Sequence, residues 1–93
     1  MKVILVYDIE LKEKKDQKRL NKVKKIGRKY LHHVQKSVFE GELTEGQIYK
    51  MESEILRVID KDRDSVIFYI LPDGVKLRRK ILSNLSDKIT NVL

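Results

Sequence analysis

Hydrophobic and polar positions along the chain form three strand-like runs. Five consecutive apolar residues, Val3–Tyr7, predict a buried strand close to the start of the sequence. The run Ser65–Leu71 is the strongest strand signal, and its continuous apolar character favours a central place in a sheet. The segment His32–Leu43 predicts either two short strands or one bent strand, because the polar pair Lys36 and Ser37 interrupts its pattern.

Two other segments show the three- and four-residue spacing that is typical of amphipathic helices. The first helix is predicted to be capped by Asp16 and to run to about Leu31. The second follows a capping box formed by Thr44 and Gln47, and runs to about Asp60. The apolar stripes are Leu20, Val23, Ile26, Tyr30 and Leu31 in the first helix, and Ile48, Met51, Ile55 and Ile59 in the second.

The segment after the last strand is ambiguous. A turn is predicted at Pro72–Gly74. The spacing of the later apolar residues fits a helix, whereas their partial alternation and the polar breakers among them fit strands. We expect two short extended pieces in this tail, whose apolar residues are Val75, Leu77, Ile81, Leu85 and Ile89.

The order strand, helix, two strands, helix, strand predicts an α+β fold, a ferredoxin-like βαββαβ sandwich with both helices on one sheet face. We expect one domain over residues 1–93, with a core at about 1–71 and a variable tail at 72–93. Such a sheet has one face without helices. We therefore predict a homodimer, in which two chains bury these faces together or the tail adds a strand to the partner.

The amino-acid composition limits the cellular compartment and the class of partner that we expect for this protein. The 93 residues contain no cysteine, so disulfides and thiolate metal sites are excluded. The sequence has no apolar run long enough to span a bilayer, and we expect a soluble cytoplasmic protein without a membrane partner. Lys and Arg number 21 against 14 Asp and Glu, giving a net charge of +7, which favours nucleic acid as the partner.

The excess of positive charge is concentrated in two places. Ten basic residues and two acids lie between Lys12 and Lys29, and a second basic cluster follows the last strand. A solvated helix face rich in Lys and Glu is the plain alternative interpretation of the first group. The candidate nucleic-acid-binding residues are Lys18, Arg19, Lys22 and Lys25 of the first helix, and Arg78, Arg79 and Lys80 of the tail.

Asp8 follows directly after the first strand and is the candidate metal ligand. A carboxylate at the end of an apolar strand requires water, a cation, a metal or another chain, since an apolar core does not accept an unpaired charge. Mg²⁺ binds oxygen ligands and retains several waters, so one or two carboxylates together with a phosphate suffice. The alternative is a loop aspartate that caps the following turn.

No other arrangement of residues predicts a catalytic or cofactor site. His32 and His33 are adjacent, so on a strand they point to opposite faces and do not chelate one metal together. The first strand is not followed by a glycine-rich phosphate loop, which argues against nucleotide binding. A hydrogen-bonding role is favoured for Ser37 over a nucleophilic one, because no base lies near it in sequence.

The opening segment Val3–Ile9, the basic first helix and the segment Val34–Leu43 together resemble the small CRISPR-associated adaptation protein, the partner of the CRISPR spacer integrase. The resemblance extends from Met1 to about Leu71. It implies a ferredoxin-like homodimer in which Asp8 of each chain binds a shared Mg²⁺ or Mn²⁺, with Ser37 and Phe39 close to the same cleft as further catalytic residues.

The resemblance also implies two activities. One is metal-dependent endonuclease cleavage of single-stranded RNA or double-stranded DNA. The other is a scaffold function, in which the protein binds double-stranded DNA and holds the spacer integrase. A toxin-like or regulatory ferredoxin-like module that binds nucleic acid without catalysis remains the third interpretation of the sequence.

Overall fold

The computed structural model describes residues 1–83, which form two helices and one four-stranded sheet. The elements are β1 (Lys2–Asp8), α1 (Lys14–Tyr30), β2 (His32–Gln35), β3 (Val38–Glu42), α2 (Glu45–Leu56) and β4 (Ser65–Leu71). All neighbouring strands are antiparallel, in the order β2-β3-β1-β4. This arrangement confirms the predicted ferredoxin-like βαββαβ fold and settles the segment after α1 as two strands.

The core lies between the helices and one face of the sheet. Alternate residues of β1, Val3, Leu5 and Tyr7, are buried on this side, whereas Ile4 and Val6 on the other side are half-buried. The helix-facing residues pack against Val23 and Ile26 of α1, Met51 and Ile55 of α2, and Phe39 of β3. The other side of β1, with the neighbouring residues Ile67 and Tyr69 of β4, forms what we call the open sheet face.

Gly27 allows α1 to approach β3 closely. A Cβ atom placed on Gly27 would lie 2.9 Å from two ring carbons of Phe39, which is itself fully buried. The ring cannot move away, because the core around it is close-packed. The glycine therefore sets the distance between helix and sheet.

Gly27→Ala is expected to destabilise the fold by about 1–3 kcal/mol, since overpacking a core outweighs the gain of up to ~1 kcal/mol in helix propensity. Gly46→Ala in α2 is the matched control, because its added Cβ meets only the Thr44 hydroxyl, at 3.9 Å. Urea unfolding measures both variants. Equal stability of the two would show that the contact with Phe39 carries no weight.

One boundary of each helix differs from the predicted one, whereas the end of α1 at Tyr30 agrees with the prediction of about Leu31. The Thr44–Gln47 capping box is present, with the Gln47 N–H donating to the Thr44 hydroxyl at 3.2 Å. However, α2 ends at Leu56, and Ile59 instead packs against the core from the following turn. α1 begins at Lys14 with Glu13 as its N-cap, so the prediction that Asp16 is the N-cap is wrong, but the Asp16 carboxylate completes a capping box by accepting the Glu13 N–H at 2.9 Å. Asp16 lies inside the first turn, where Arg19 and Arg63 donate hydrogen bonds to its carboxylate.

The predicted central position of β4 is also wrong, because this strand lies at the edge of the sheet. Its apolar side chains lie on both faces of the sheet. Val66 and Phe68 pack against the core, whereas Ile67 and Tyr69 lie on the open sheet face. A strand whose two faces are both apolar is thus not necessarily paired on both edges.

The tail crosses to the open sheet face without forming regular structure as far as Ser83. It begins with the predicted turn, in which Gly74 has a φ of 88° and the Val75 N–H donates to the Pro72 carbonyl. The expected extended pieces are therefore not strands within residues 75–83. The apolar positions Leu85 and Ile89 lie outside the described residues.

Candidate metal and nucleic-acid site

Asp8 is the last residue of β1, and its carboxylate lies on the same side of the sheet as Ile4 and Val6. Its Cα partner across the sheet is Ser65, the first residue of β4. The side chain is exposed, and among residues 1–83 it makes no hydrogen bond or ion pair. An unpaired carboxylate at the rim of an apolar face is therefore available to a ligand, and it does not cap the turn that follows it.

Ser37 lies in the tight turn between β2 and β3, which is hydrogen-bonded to the end of β1 at Tyr7. The Ser37 carbonyl accepts a hydrogen bond from the Tyr7 N–H at 3.2 Å, and the Lys36 carbonyl accepts one from the Tyr7 hydroxyl at 3.1 Å. Burial raises the pKa of Tyr7 above its ordinary value, so the hydroxyl remains a donor. The buried tyrosine thus fixes this turn next to the end of β1.

Phe39 does not lie on the same side of the sheet as Asp8. Its register partner is Leu5, and its ring is fully buried on the helix side. There it stacks on Tyr7, with ring centroids 6.1 Å apart, and on His33, at 4.7 Å. The expectation that Phe39 lies in the cleft as a catalytic residue does not fit this burial, because an enclosed ring cannot touch a substrate.

His32 and His33 lie on opposite faces of β2, as expected from their adjacency. The register places His32 beside Glu40 on the open side and His33 beside Phe39 on the helix side. No group of three or more His, Asp or Glu residues capable of holding a metal occurs within residues 1–83. One chain therefore offers a divalent cation a single carboxylate at this place.

Arg19 is not a free cation on the basic face of α1. Its guanidinium donates to both oxygens of Asp64, at 2.6 and 2.9 Å, and to Asp16 at 2.6 Å. Only 11% of the Arg19 side chain is exposed, so the prediction that it contacts nucleic acid is wrong. We call these residues the ion-pair cluster, whose members are Glu10, Asp16, Arg19, Arg63 and Asp64.

The cluster contains titratable groups with strongly shifted pKa values. The pKa of Asp16 lies far below its ordinary range because of hydrogen bonds from Arg63 and Arg19. Arg19 likewise lowers the pKa of Asp64. Both carboxylates have fully buried side chains and remain charged because arginines and backbone N–H groups surround them.

The other predicted cations of α1, Lys18, Lys22 and Lys25, are exposed. Within residues 1–83 none of these three forms an ion pair, whereas Lys29, at the far end of the helix, pairs with Glu54 at 3.0 Å. Three unpaired lysines at spacings of three and four residues lie along one side of a helix. This surface suits a row of phosphate groups.

The tail cations have different environments. Arg79 pairs with Glu40, a carboxylate that is 5% exposed on the open side of β3 and also lies 3.7 Å from Lys2. Arg78 and Lys80 are exposed. Residues Arg79–Ser83 and the β2–β3 hairpin border a wide, open cavity that includes Lys36 and Ser37. Arg79 therefore anchors the tail, which leaves Arg78 and Lys80 available to phosphate.

Sequence reasoning missed the carboxylates that pair with these arginines. Asp64 carries no signal in the sequence beyond its place directly before β4, and Glu40 carries none beyond its place in a strand. The spacing of Asp16 and Arg19 by three residues was one available sign, since such pairs meet on a helix surface. The partner Asp64 is 45 residues away, and only the fold brings it there.

Comparison with known proteins identifies the family. A family model described as CRISPR associated protein Cas2 matches residues 1–79. The CRISPR-associated endoribonuclease Cas2 2 of Moorella thermoacetica is 50% identical over 91 residues, which cover 98% of this chain and 100% of that protein. The CRISPR-associated endoribonuclease Cas2 of Methanocaldococcus jannaschii is 41% identical over 93 residues, covering 100% of this chain and 76% of that protein.

Solved structures agree with the sequence relatives. The crystal structure of Streptococcus pyogenes Cas2 at pH 6.5 superposes with a TM-score of 0.77 and 31% identity, covering 89% of this chain and 100% of that one. A second crystal structure, described as that of Cas2, gives a TM-score of 0.70 at 38% identity and covers 90% of each chain.

In the part of the chain that the structure describes, no helix is long and apolar enough to cross a membrane.

Proposed function

The chain belongs to the CRISPR associated protein Cas2 family, and on this premise we propose that it is a divalent-metal-dependent endoribonuclease of CRISPR adaptation. The observation that carries the proposal is the exposed and unpaired carboxylate of Asp8 at the rim of the open sheet face. The relatives named as endoribonucleases support the choice of RNA as the substrate. Cleavage of a labelled single-stranded RNA with Mg²⁺, with Mn²⁺ and with a chelator tests it.

The proposal requires a homodimer, because residues 1–83 of one chain supply a single carboxylate at this place. The open sheet face carries Ile67 and Tyr69, which are 43% and 53% exposed, beside Ile4 and Val6. Burying two such faces against each other removes this apolar area from water. A two-fold axis through the paired faces also places a second Asp8 opposite the first.

Asp8 of each chain would hold the cation, with water and substrate phosphate completing its shell of six oxygens. A bound Mg²⁺ or Mn²⁺ supplies charge stabilisation to a phosphodiester and lowers the pKa of a coordinated water. Without the cation, the two carboxylates repel each other. The chain's own contribution is to bring the two carboxylates together and to keep their surroundings fixed.

Ser37 and Phe39 support this site in different ways. The Ser37 hydroxyl makes no hydrogen bond among residues 1–83 and lies in the turn beside the end of β1, so it is free to bind a substrate phosphate. Phe39 instead packs beneath Tyr7, whose hydroxyl fixes that turn. We therefore assign Ser37 a binding role and Phe39 a positioning role.

A second function is favoured by the lysines of α1. We propose that the protein also binds double-stranded DNA as the scaffold of the spacer integrase, with Lys18, Lys22 and Lys25 contacting phosphates. Arg78 and Lys80 on the tail are further exposed cations that are available to phosphate. Contacts of this kind position the duplex without reading its sequence. Copurification of the integrase on duplex DNA tests the scaffold function separately from cleavage.

Changing Lys18, Lys22 and Lys25 together to Glu is expected to weaken duplex binding for every sequence. Three fewer phosphate contacts should also flatten the dependence of log affinity on log salt by about 2 to 3 units. Fluorescence anisotropy with two unrelated duplexes at several salt concentrations measures both effects. Arg19 is excluded from the set because it belongs to the ion-pair cluster.

The matched control changes Lys50, Arg57 and Lys61 to Glu, which alters net charge equally on exposed residues outside α1. Its affinity should fall much less, and its salt dependence should stay close to that of the unmodified protein. Equal losses in both variants would mean that only net charge matters. A module that binds nucleic acid without catalysis, the third interpretation, would bind the duplexes but show no metal-dependent cleavage of RNA.

A further inference from the structure

Two chain segments adjoin Asp8, and the ion-pair cluster holds both of them. The loop after Asp8 is held by Asp16, whose Oδ2 accepts hydrogen bonds from the N–H groups of Lys12 at 2.8 Å and Glu13 at 2.9 Å. The segment before Ser65 is held by Asp64, whose Oδ2 accepts the Asp60 N–H at 2.9 Å. Two buried carboxylates thus fix the backbone on both sides of this strand end.

The cluster also joins the two segments to each other. Asp64 Oδ1 accepts the Glu10 N–H at 3.2 Å, and Arg19 donates to the Glu10 carbonyl at the same distance. Arg63 donates to Glu10 Oε2 at 3.1 Å and to Asp16 Oδ2 at 2.7 Å. Residue 10 is therefore attached to Arg19, Arg63 and Asp64, only two positions after Asp8.

Stability alone is a weak explanation for such a cluster. Buried ion pairs lose much of their attraction to desolvation, and apolar residues of similar volume often replace them without loss. The pairs do fix the relative positions of the segments that carry them, because the planar guanidinium of Arg19 bridges the carboxylates of Asp16 and Asp64. The ion pair that joins α1 to α2, Lys29 with Glu54, is far more exposed than the pairs of the ion-pair cluster.

We propose that the ion-pair cluster positions Asp8, with Arg19 and Asp64 as the residues that fix the direction of its carboxylate. The inference rests on the proposed function of Asp8 in metal binding. Because the Asp8 side chain has no hydrogen-bond or ion-pair partner within residues 1–83, the position of its backbone decides at which point of the rim the carboxylate lies. A shift of that backbone by a fraction of an ångström would misalign two carboxylates that share one cation.

The test uses Asp64→Asn, which keeps size and shape but removes the charge that holds Arg19. Glu54→Gln is the matched control, since it breaks the partners of Lys29 and Tyr30 at the far end of α1. Three quantities are measured below the unfolding temperature of all variants: amide exchange at Glu10, Lys12 and Glu13, Mn²⁺ affinity by electron paramagnetic resonance, and kcat and KM for RNA.

We expect Asp64→Asn to accelerate exchange at these amides, to weaken Mn²⁺ binding and to lower kcat, each by about ten-fold, with KM within about two-fold. Glu54→Gln should lower the melting temperature without changing any of the three. Arg63→Gln, at a residue that is 26% exposed, should give the same pattern with smaller changes if Asp64→Asn fails to fold.

The two hypotheses fail in different ways. Unchanged Mn²⁺ affinity and kcat in a folded Asp64→Asn variant would overturn the positioning role and leave the proposed function intact. A protein that never cleaves RNA, but loses Mn²⁺ affinity in Asp64→Asn, would refute the nuclease and support the positioning role. Equal loss of kcat in Glu54→Gln would reduce the cluster to general stability and overturn the inference.

Discussion

Replacing Asp8 by asparagine is expected to reduce metal-dependent RNA cleavage by at least about a hundred-fold. The substitution removes the carboxylate charge that would hold the cation, and stabilisation of charge by a bound metal amounts to several kcal/mol of the barrier. The fold should be unaffected, because the side chain is exposed and makes no hydrogen bond or ion pair within residues 1–83. Initial rates at saturating Mg²⁺ and Mn²⁺, compared with thermal unfolding, measure the two effects.

Asp62→Asn is the matched control, because Asp62 is another exposed aspartate, in the loop that precedes β4. It should cleave at the rate of the unmodified protein. DNA affinity of Asp8→Asn should be equal or slightly higher, since a repulsive charge is removed. Full cleavage by Asp8→Asn would place the activity at another site or in a contaminant. Unfolding of this variant would make Asp8 a structural residue.

Local pattern was sufficient to predict the fold of the first 71 residues. Each strand and helix has its own signal, such as the Thr44–Gln47 capping box and the apolar run at Val3–Tyr7. Their order then leaves few topologies, because sequential elements tend to pack side by side. Asp8 was identifiable for the same reason, as it ends a strand whose burial the sequence makes plain.

Contacts between residues far apart in sequence determine the features that the local sequence pattern does not predict. Lys18 and Arg19 look alike in a basic helix, yet one is exposed and the other is enclosed by Asp16 and Asp64. The expectation that Phe39 lies in the cleft came from the family resemblance of the segment Val34–Leu43. Alternation along β3 places the Phe39 ring on the helix side of the sheet, and this position follows from the register of β3 with β1, in which Phe39 pairs with Leu5.

The edge position of β4 has a direct bearing on assembly. Its open-side residues Ile67 and Tyr69 are about half exposed in a single chain, and β1 contributes Ile4 and Val6 beside them. The apolar continuity that suggested a central strand is explained if a second copy covers this side. The same contact would supply the carboxylate that one chain lacks.

Tyr69→Glu is therefore expected to dissociate the homodimer and abolish cleavage while Asp8 remains in place. A symmetric interface receives the new charge twice, and burying unpaired charges should raise the dissociation constant on the order of a thousand-fold. Sedimentation velocity and RNA cleavage measure both effects.

Tyr49→Glu is the matched control, because Tyr49 is 69% exposed on α2, away from the sheet. It should remain dimeric and active. A mixing experiment tests whether the two carboxylates act together: after equal amounts of unmodified and Asp8→Asn chains exchange partners, about a quarter of the dimers carry two Asp8 carboxylates. Activity should fall to that fraction if both carboxylates share one cation. Activity of one half would mean that each chain works alone, and a monomeric protein that cleaves RNA would refute the shared site.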